Sequence, residues 1–166
     1  GSILWQKKIL DFSYATPKIA YDSGILWLAG NTGDNTSFTI DGVSETTFEN
    51  DVFVARFDTS GTLDWVETYG GDAVETIDHL AIDDKNNLYL SGYFTDESQL
   101  GDTIVGEMGN EGIYLVKLDS LGDMIWLNAA DSPSELYAYG AATDKFGNTI
   151  LTGTFSNNFT IDNYTM

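Results

Sequence analysis

Trp5, Trp65 and Trp126 recur at intervals of 60 and 61, and no other feature restricts the fold of this chain as sharply. Each follows an aliphatic residue within two positions, in Ile3-Leu4-Trp5, Leu63-Asp64-Trp65 and Ile125-Trp126. Other residue types keep the same beat. Ala20, Ala81 and Ala142 recur at 61, as do Asp22, Asp83 and Asp144; Gly30, Gly92 and Gly153 recur at 62 and 61. The run Val52–Asp58 returns one period later as Ile113–Asp119. Several unrelated residue types sharing one period define an internal repeat, which bounds the architecture before any local reading. The single extra residue between Gly30 and Gly92 matches a shorter turn in the first copy, Asp22-Ser23-Gly24 against Asp83–Asn87.

Within each copy the pattern is that of strands. Leu88–Phe94 and Thr149–Phe155 are rich in β-branched and aromatic residues, and Ile25–Ala29 is their first-copy counterpart. A short apolar segment precedes each: Lys18–Tyr21, His79–Ile82 and Gly140–Thr143. The turns between them carry Asp with Gly or Asn, residues that bond the local backbone and accept positive φ. Val52–Phe57 with Leu63–Glu67, and Ile113–Leu118 with Met124–Asn128, are the third and fourth strands, joined by Asp58–Gly61 and Asp119–Gly122. An insert at 31–50 and again at 95–111 is expected to form an extra hairpin or a loop. Pro17 and Pro133 precede first strands, where a missing N–H is harmless. No segment has a 3.6-residue apolar period, so helix content near zero is expected.

A four-stranded antiparallel repeat of this length predicts an all-β fold of β-propeller blades. One blade cannot bury its own faces; each sheet needs a sibling as a wall. The chain holds about 2.7 repeats, with bounds near 5–64, 65–125 and a partial copy at 126–166. It starts in a fourth strand, Ile3 to Leu10, and ends within the insert of the third copy. Propellers usually have about four to eight blades. The expectation is therefore one segment of a larger propeller, with blade edges open to association.

Charge removes whole classes of function. Seven Lys+Arg against 26 Asp+Glu leave a net charge of −19. Such a surface repels phosphate, which excludes a general nucleic-acid binder and disfavours anionic membranes. With no Cys, disulfides and thiolate chemistry are excluded, while secretion stays open. No apolar run approaches the roughly 20 residues of a membrane-spanning helix. No segment reads as a signal peptide, and the opening Gly1-Ser2 reads as a cloning remnant that replaces a native start.

The stretch Leu80–Gly92, followed by Ile113–Trp126, resembles the bacterial repeat family known as seven-bladed β-propeller (SBBP) repeats. Those repeats carry A-x-D-x-x-G-N-x-Y-x-x-G and then F-V-x-K-x-D-x-x-G-x-x-x-W. Ala142–Gly153 fits the first motif with Ile150 in the Tyr slot, and Val52–Trp65 fits the second with Arg56 in the Lys slot. The chain departs from the first motif at Asn86, which replaces Gly, and in the shortened turn of the first copy. The resemblance covers nearly the whole chain and implies a fold more than an activity. It implies a bacterial extracellular or cell-surface setting and a binding or scaffolding role, by analogy.

The candidate site residues mostly read as structure. His79, the only His, sits in an inner strand with no nucleophile elbow and no second His at ligand spacing. Asp22, Asp58, Asp83, Asp119 and Asp144 recur with the repeat, so they read as turn-formers and not as a catalytic pair, which needs two distinct environments. The alternative is Ca²⁺ on Asp83-Asp84-Asn86-Asn87 or on Asp34-Asn35-Asp41, neither in EF-hand spacing. The periodic Trp residues read as packing between sheets, and Trp27 takes the slot of Tyr89. Tyr14, Tyr69, Tyr137 and Tyr139 lie near junctions between repeats and read as structural, with a propeller mouth as the alternative placement. Glycosylation triplets at Asn35, Asn158 and Asn163 read as accidental, and Gly70-Gly71 and Gly106–Gly112 precede strands rather than helices, so they are no phosphate loop. The expected function is a non-catalytic scaffold or interaction module with no catalytic residues, no metal ligands and no cofactor, engaging a protein or glycan through residues the sequence does not identify. The alternatives are a carbohydrate- or calcium-binding adhesin segment and the non-catalytic part of a larger extracellular enzyme.

Overall fold

The computed structural model describes residues 5–8, 17–34, 36–156, 158, 160–161 and 164–165. These hold sixteen strands, all paired antiparallel, and no helix. In chain order they are β1 (Lys18–Asp22), β2 (Ile25–Asn31), β3 (Ser37–Ile40), β4 (Val43–Thr46), β5 (Val52–Phe57), β6 (Leu63–Tyr69), β7 (His79–Ile82) and β8 (Leu88–Thr95), then β9 (Ser98–Leu100), β10 (Thr103–Val105), β11 (Glu111–Leu118), β12 (Met124–Ser132), β13 (Leu136–Thr143), β14 (Thr149–Phe155), β15 (Thr160–Ile161) and β16 (Tyr164–Thr165). Two four-stranded sheets have the orders β1-β2-β5-β6 and β7-β8-β11-β12. β13 and β14 pair as a third sheet of two strands. The inserts resolve into hairpins, β3–β4, β9–β10 and β15–β16. Trp5–Lys8 carries no strand, and the rest of the expected opening strand lies outside the described residues.

The repeated residues acquire reasons in the register. Ala20 faces Trp27, Trp27 faces Arg56 and Arg56 faces Trp65 across the first sheet. Ala81, Tyr89, Lys117 and Trp126 form the same row in the second. A small first-strand residue makes room for the aromatic beside it. The row points towards the following sheet. A methyl on Gly122, in the turn after β11, would meet the Trp65 ring at 3.2 Å, and one on Gly61 would strike Trp5. The Trp of one copy therefore lies over the turn glycine of the next. Trp65 and Trp126 stay half-buried on outer strands, while Trp27 is fully buried.

Packing between the first two sheets supplies the largest core: Trp27, Ala29, Val52 and Val54 against Leu80, Leu88, Leu90, Val116 and Leu118. The opposite face of the first sheet buries Phe53, Ala55 and Phe57 beneath Phe38 and Ile40 of the β3–β4 hairpin. β5 is thus buried on both faces, which is why its sequence is an apolar run and not an alternation. A third, smaller core joins Ile113 and Ala130 to Leu136 and Ala138. Each of the large side chains buried here contributes about 1.5–3 kcal/mol.

Candidate functional site

Four of the five repeated aspartates close turns, while Asp22 accepts the Ser23 hydroxyl at 2.9 Å. Asp58 Oδ1 accepts the N–H groups of Ser60 and Thr62 at 2.8 and 2.9 Å, and Asp119 Oδ1 those of Leu121 and Asp123 at 2.8 and 3.1 Å. Asp144 and Asp83 do the same two and four residues on. This is the Asx chemistry expected of them. Asp83 Oδ2 also accepts from Asn87 Nδ2 (2.8 Å), the Tyr89 hydroxyl (3.1 Å) and Lys117 Nζ (3.3 Å). Burial raises this carboxyl, but the side chain and backbone of Asn87, the Lys85 N–H and Lys117 outweigh it and hold the pKa at about 2. Its lone pairs are committed to protein donors, so Asp83 itself offers a cation little. Asn86 explains its own departure from Gly: it stands at φ 60°, where its counterpart Gly147 has φ 88°, and Asn tolerates that region. Of the other proposed cation loop, Asn35 lies outside the described residues, and Asp41 pairs with Lys7.

His79 pairs with Ser91 in the β7–β8 ladder; burial first, then the charge of Lys18, holds its pKa below the ordinary value. Tyr69 donates to Glu67 and to the Gly122 carbonyl, which locks it at a sheet junction. Tyr93, Tyr137 and Tyr139 stack in series, with ring centroids 5.9 and 6.5 Å apart, and Tyr139 is 69% exposed. Tyr14 lies outside the described residues, as do Asn35 and Asn163; Asn158 is exposed.

The least expected cluster lies at the junction from β6 to β7. Residues 70–78 are strapped to the first sheet by Glu75 N–H to the Asn50 carbonyl (2.8 Å) and Ile77 N–H to Asn31 Oδ1 (3.2 Å). They are strapped to the second by Thr76 N–H to Tyr93 O and Asp78 N–H to Ser91 O, at 2.8 and 2.9 Å. Two carboxylates are buried here, Asp51 at 4% and Glu75 at 0% exposure. Glu75 Oε1 accepts from Ser98, and Asp51 Oδ2 from the Phe48 N–H. Asp51 Oδ1 and Glu75 Oε2 have no hydrogen-bond partner. Both oxygens border the same small space, because a methyl built on Gly70 would strike the two of them.

Desolvation dominates the chemistry of this pair. It raises Asp51 to about 6, with the Phe48 N–H opposing and Glu49 and Asp72 adding repulsion. It raises Glu75 to about 8, opposed by Ser98 and the nearby Gly71 N–H and reinforced by Asp51. Two acids with separated pKa values are a signature of acid–base sites. A substrate must still reach them, and the clefts beside Ile113, Thr103, Ala20 and Val52 include neither residue. The turn-former reading covers the repeated aspartates alone, and sequence reasoning does not single out this pair. The signal was present as a break in the repeat: one period on, Asp51 becomes Gly112 and Glu75 becomes Leu136.

A scan of protein-family models finds no match to the chain, and a search of curated proteins finds no relative.

Proposed function

We propose that the chain is a segment of a β-propeller of the SBBP repeat type and serves as a non-catalytic scaffold or interaction module of a secreted or surface-attached bacterial protein. The observation that carries this reading is the repeated contact between copies. Trp5 over Gly61 and Trp65 over Gly122 stack successive sheets in one way, so each copy is a wall for the next. The first strands β1, β7 and β13 sit side by side, as strands nearest a propeller axis must. The repeated residues all go into turns and packing, which leaves the loops to supply contacts with a protein or glycan. The tyrosine stack at Tyr93, Tyr137 and Tyr139 favours a sugar as the second reading, because stacked and exposed rings offer apolar faces with polar edges.

The test is a panel of glycoside, ester and peptide substrates run beside a glycan array. Absence of turnover supports the scaffold. Turnover lost in Asp51→Asn or Glu75→Gln would replace it with an enzyme. Glycan binding that disappears in Tyr139→Ala selects the second reading.

A further inference from the structure

The junction between the first two sheets spends two buried carboxylates where the next junction uses none. The register makes the two junctions comparable: Glu75 bridges to Phe94, and Leu136 pairs with Phe155, one period on in both strands. At the first junction Thr32, Asp51 and Glu75 come together; their counterparts are Phe94, Gly112 and Leu136. Phe94 and Leu136 are fully buried, and Phe94 packs where a side chain at Gly112 would stand. The same backbone is thus closed by apolar contact in one place and by acids in the other. Burying an ionised carboxylate without compensation is costly, and apolar residues of similar size usually serve stability better. The retained pair therefore calls for a compensating charge. The charges acting on Asp51 are those of Glu49 and Asp72, both negative. No Lys or Arg forms an ion pair with either acid among the described residues.

We propose that Asp51 and Glu75 bind a hard divalent cation, Ca²⁺, through Asp51 Oδ1 and Glu75 Oε2, and that the ion pins the first sheet to the second. Neither oxygen has a partner in hydrogen-bond geometry, the Gly71 N–H being the nearby donor to the Glu75 carboxyl, and both are shut away from bulk water and face the space that Gly70 leaves open. An oxygen-only site without sulfur or imidazole suits Ca²⁺ and not a softer metal. The two carboxylates neutralise its charge, and backbone carbonyls and water complete the six to eight ligands that Ca²⁺ takes. No group of three acidic or imidazole side chains gathers here among the described residues, so binding falls in the weak class, with Kd on the order of 10⁻⁴ M. The enclosure suits a monatomic ion, since both carboxylates are buried and neither lines the clefts beside Ile113, Thr103, Ala20 and Val52.

The experiment is thermal unfolding and titration calorimetry of the whole chain in EDTA, in about 10 mM CaCl₂ and in about 10 mM MgCl₂. The expected result is one Ca²⁺ per chain and a Tm higher by about 5 °C in CaCl₂, with a smaller rise in MgCl₂. Glu75→Leu copies the apolar solution of Leu136 and keeps the junction packed. It should fold, melt higher than the wild type in EDTA, and lose the response to Ca²⁺. Asp51→Asn should lose that response as well. A wild-type Tm that is the same in EDTA and in CaCl₂, with no heat of binding, would overturn the proposal and leave a proton shared between the two acids. A Glu75→Leu chain that keeps the full Ca²⁺ response would overturn it too, by placing the ion elsewhere. Neither result bears on the scaffold reading, which rests on the stacking of the sheets.

Discussion

Asp83 shows how one side chain can hold a turn and a sheet face together. Its Oδ1 closes the β7–β8 turn, while its Oδ2 meets Lys117 and Tyr89 in the row that packs towards the third sheet. Lys117 lies over the Tyr89 ring at 4.8 Å; burial lowers its pKa, but Tyr89 and Asp83 outweigh that and hold the ammonium charged. Because the folded carboxyl titrates near 2, below its ordinary 3.8, its contribution is complete above about pH 4 and vanishes as pH falls towards 2. Asp83→Asn should therefore be less stable than wild type at pH 6, and the two should converge only below the folded pKa, by about pH 1.5. Urea midpoints at the two pH values test this, and a gap that persists in acid would show that the charge is not what matters. The turn role of this residue was legible from Asp and Asn spacing. Its tie to Lys117, far along the chain, was not, because it depends on which strands pair.

At the scale of the element, Gly92 and Gly153 mark a bulge, while Gly30 is crowded by the Phe53 ring. Glu75 pairs with Phe94 and His79 with Ser91, a shift of one residue in the first strand opposite Gly92. The third sheet has the same irregularity between Ala138 and Gly140, opposite Gly153. The extra residue swings a backbone carbonyl across the second strand, Thr76 over Gly92 and Tyr137 over Gly153, where any Cβ would overlap the oxygen. Gly92→Ala should destabilise the chain by about 1–3 kcal/mol, seen as a Tm lower by several degrees. Gly140→Ala, whose methyl meets only Thr152 Oγ1 at 3.8 Å, should be close to neutral. Equal losses from both would refute the bulge account. The period alone identified these glycines. The oxygen that excludes a side chain belongs to the strand entry, a detail that exists only once the bulge has formed.

Over the whole molecule, the first two sheets hold four strands each and the third, among the described residues, holds two. Among those residues β14 pairs with β13 alone, while its counterparts β2 and β8 are each held on both sides. Beside it an apolar cavity of about 160 Å³ opens between Ile113, Leu115, Ala130 and Leu151. Tyr139, Ile150 and Phe155 are also exposed. Unpaired backbone next to apolar surface favours strand addition from another chain. The net charge of −19 opposes this by mutual repulsion near neutral pH and fades near the pI of about 4.1. Light scattering should show association increasing as pH falls towards 4, and Ile150→Lys should reduce it. If Ile150→Lys associates as readily as the wild type, the contact lies at another edge.

The sequence by itself determined what is periodic and local. It specified strands without helices, the Asp turns, the four-stranded unit and the residues that recur at its joints, because each follows from alternation, turn chemistry and a repeat written in the chain. Tertiary structure decided what lies across a junction. It turned the inserts into hairpins, set each Trp over the turn glycine of the following copy, and brought Asp51 and Glu75, well separated in the chain, to the two sides of one enclosed space. A period reports only what every copy must do. Desolvation, unpaired oxygens and the meeting of two acids depend on distances through space, which arise when one sheet lies against the next.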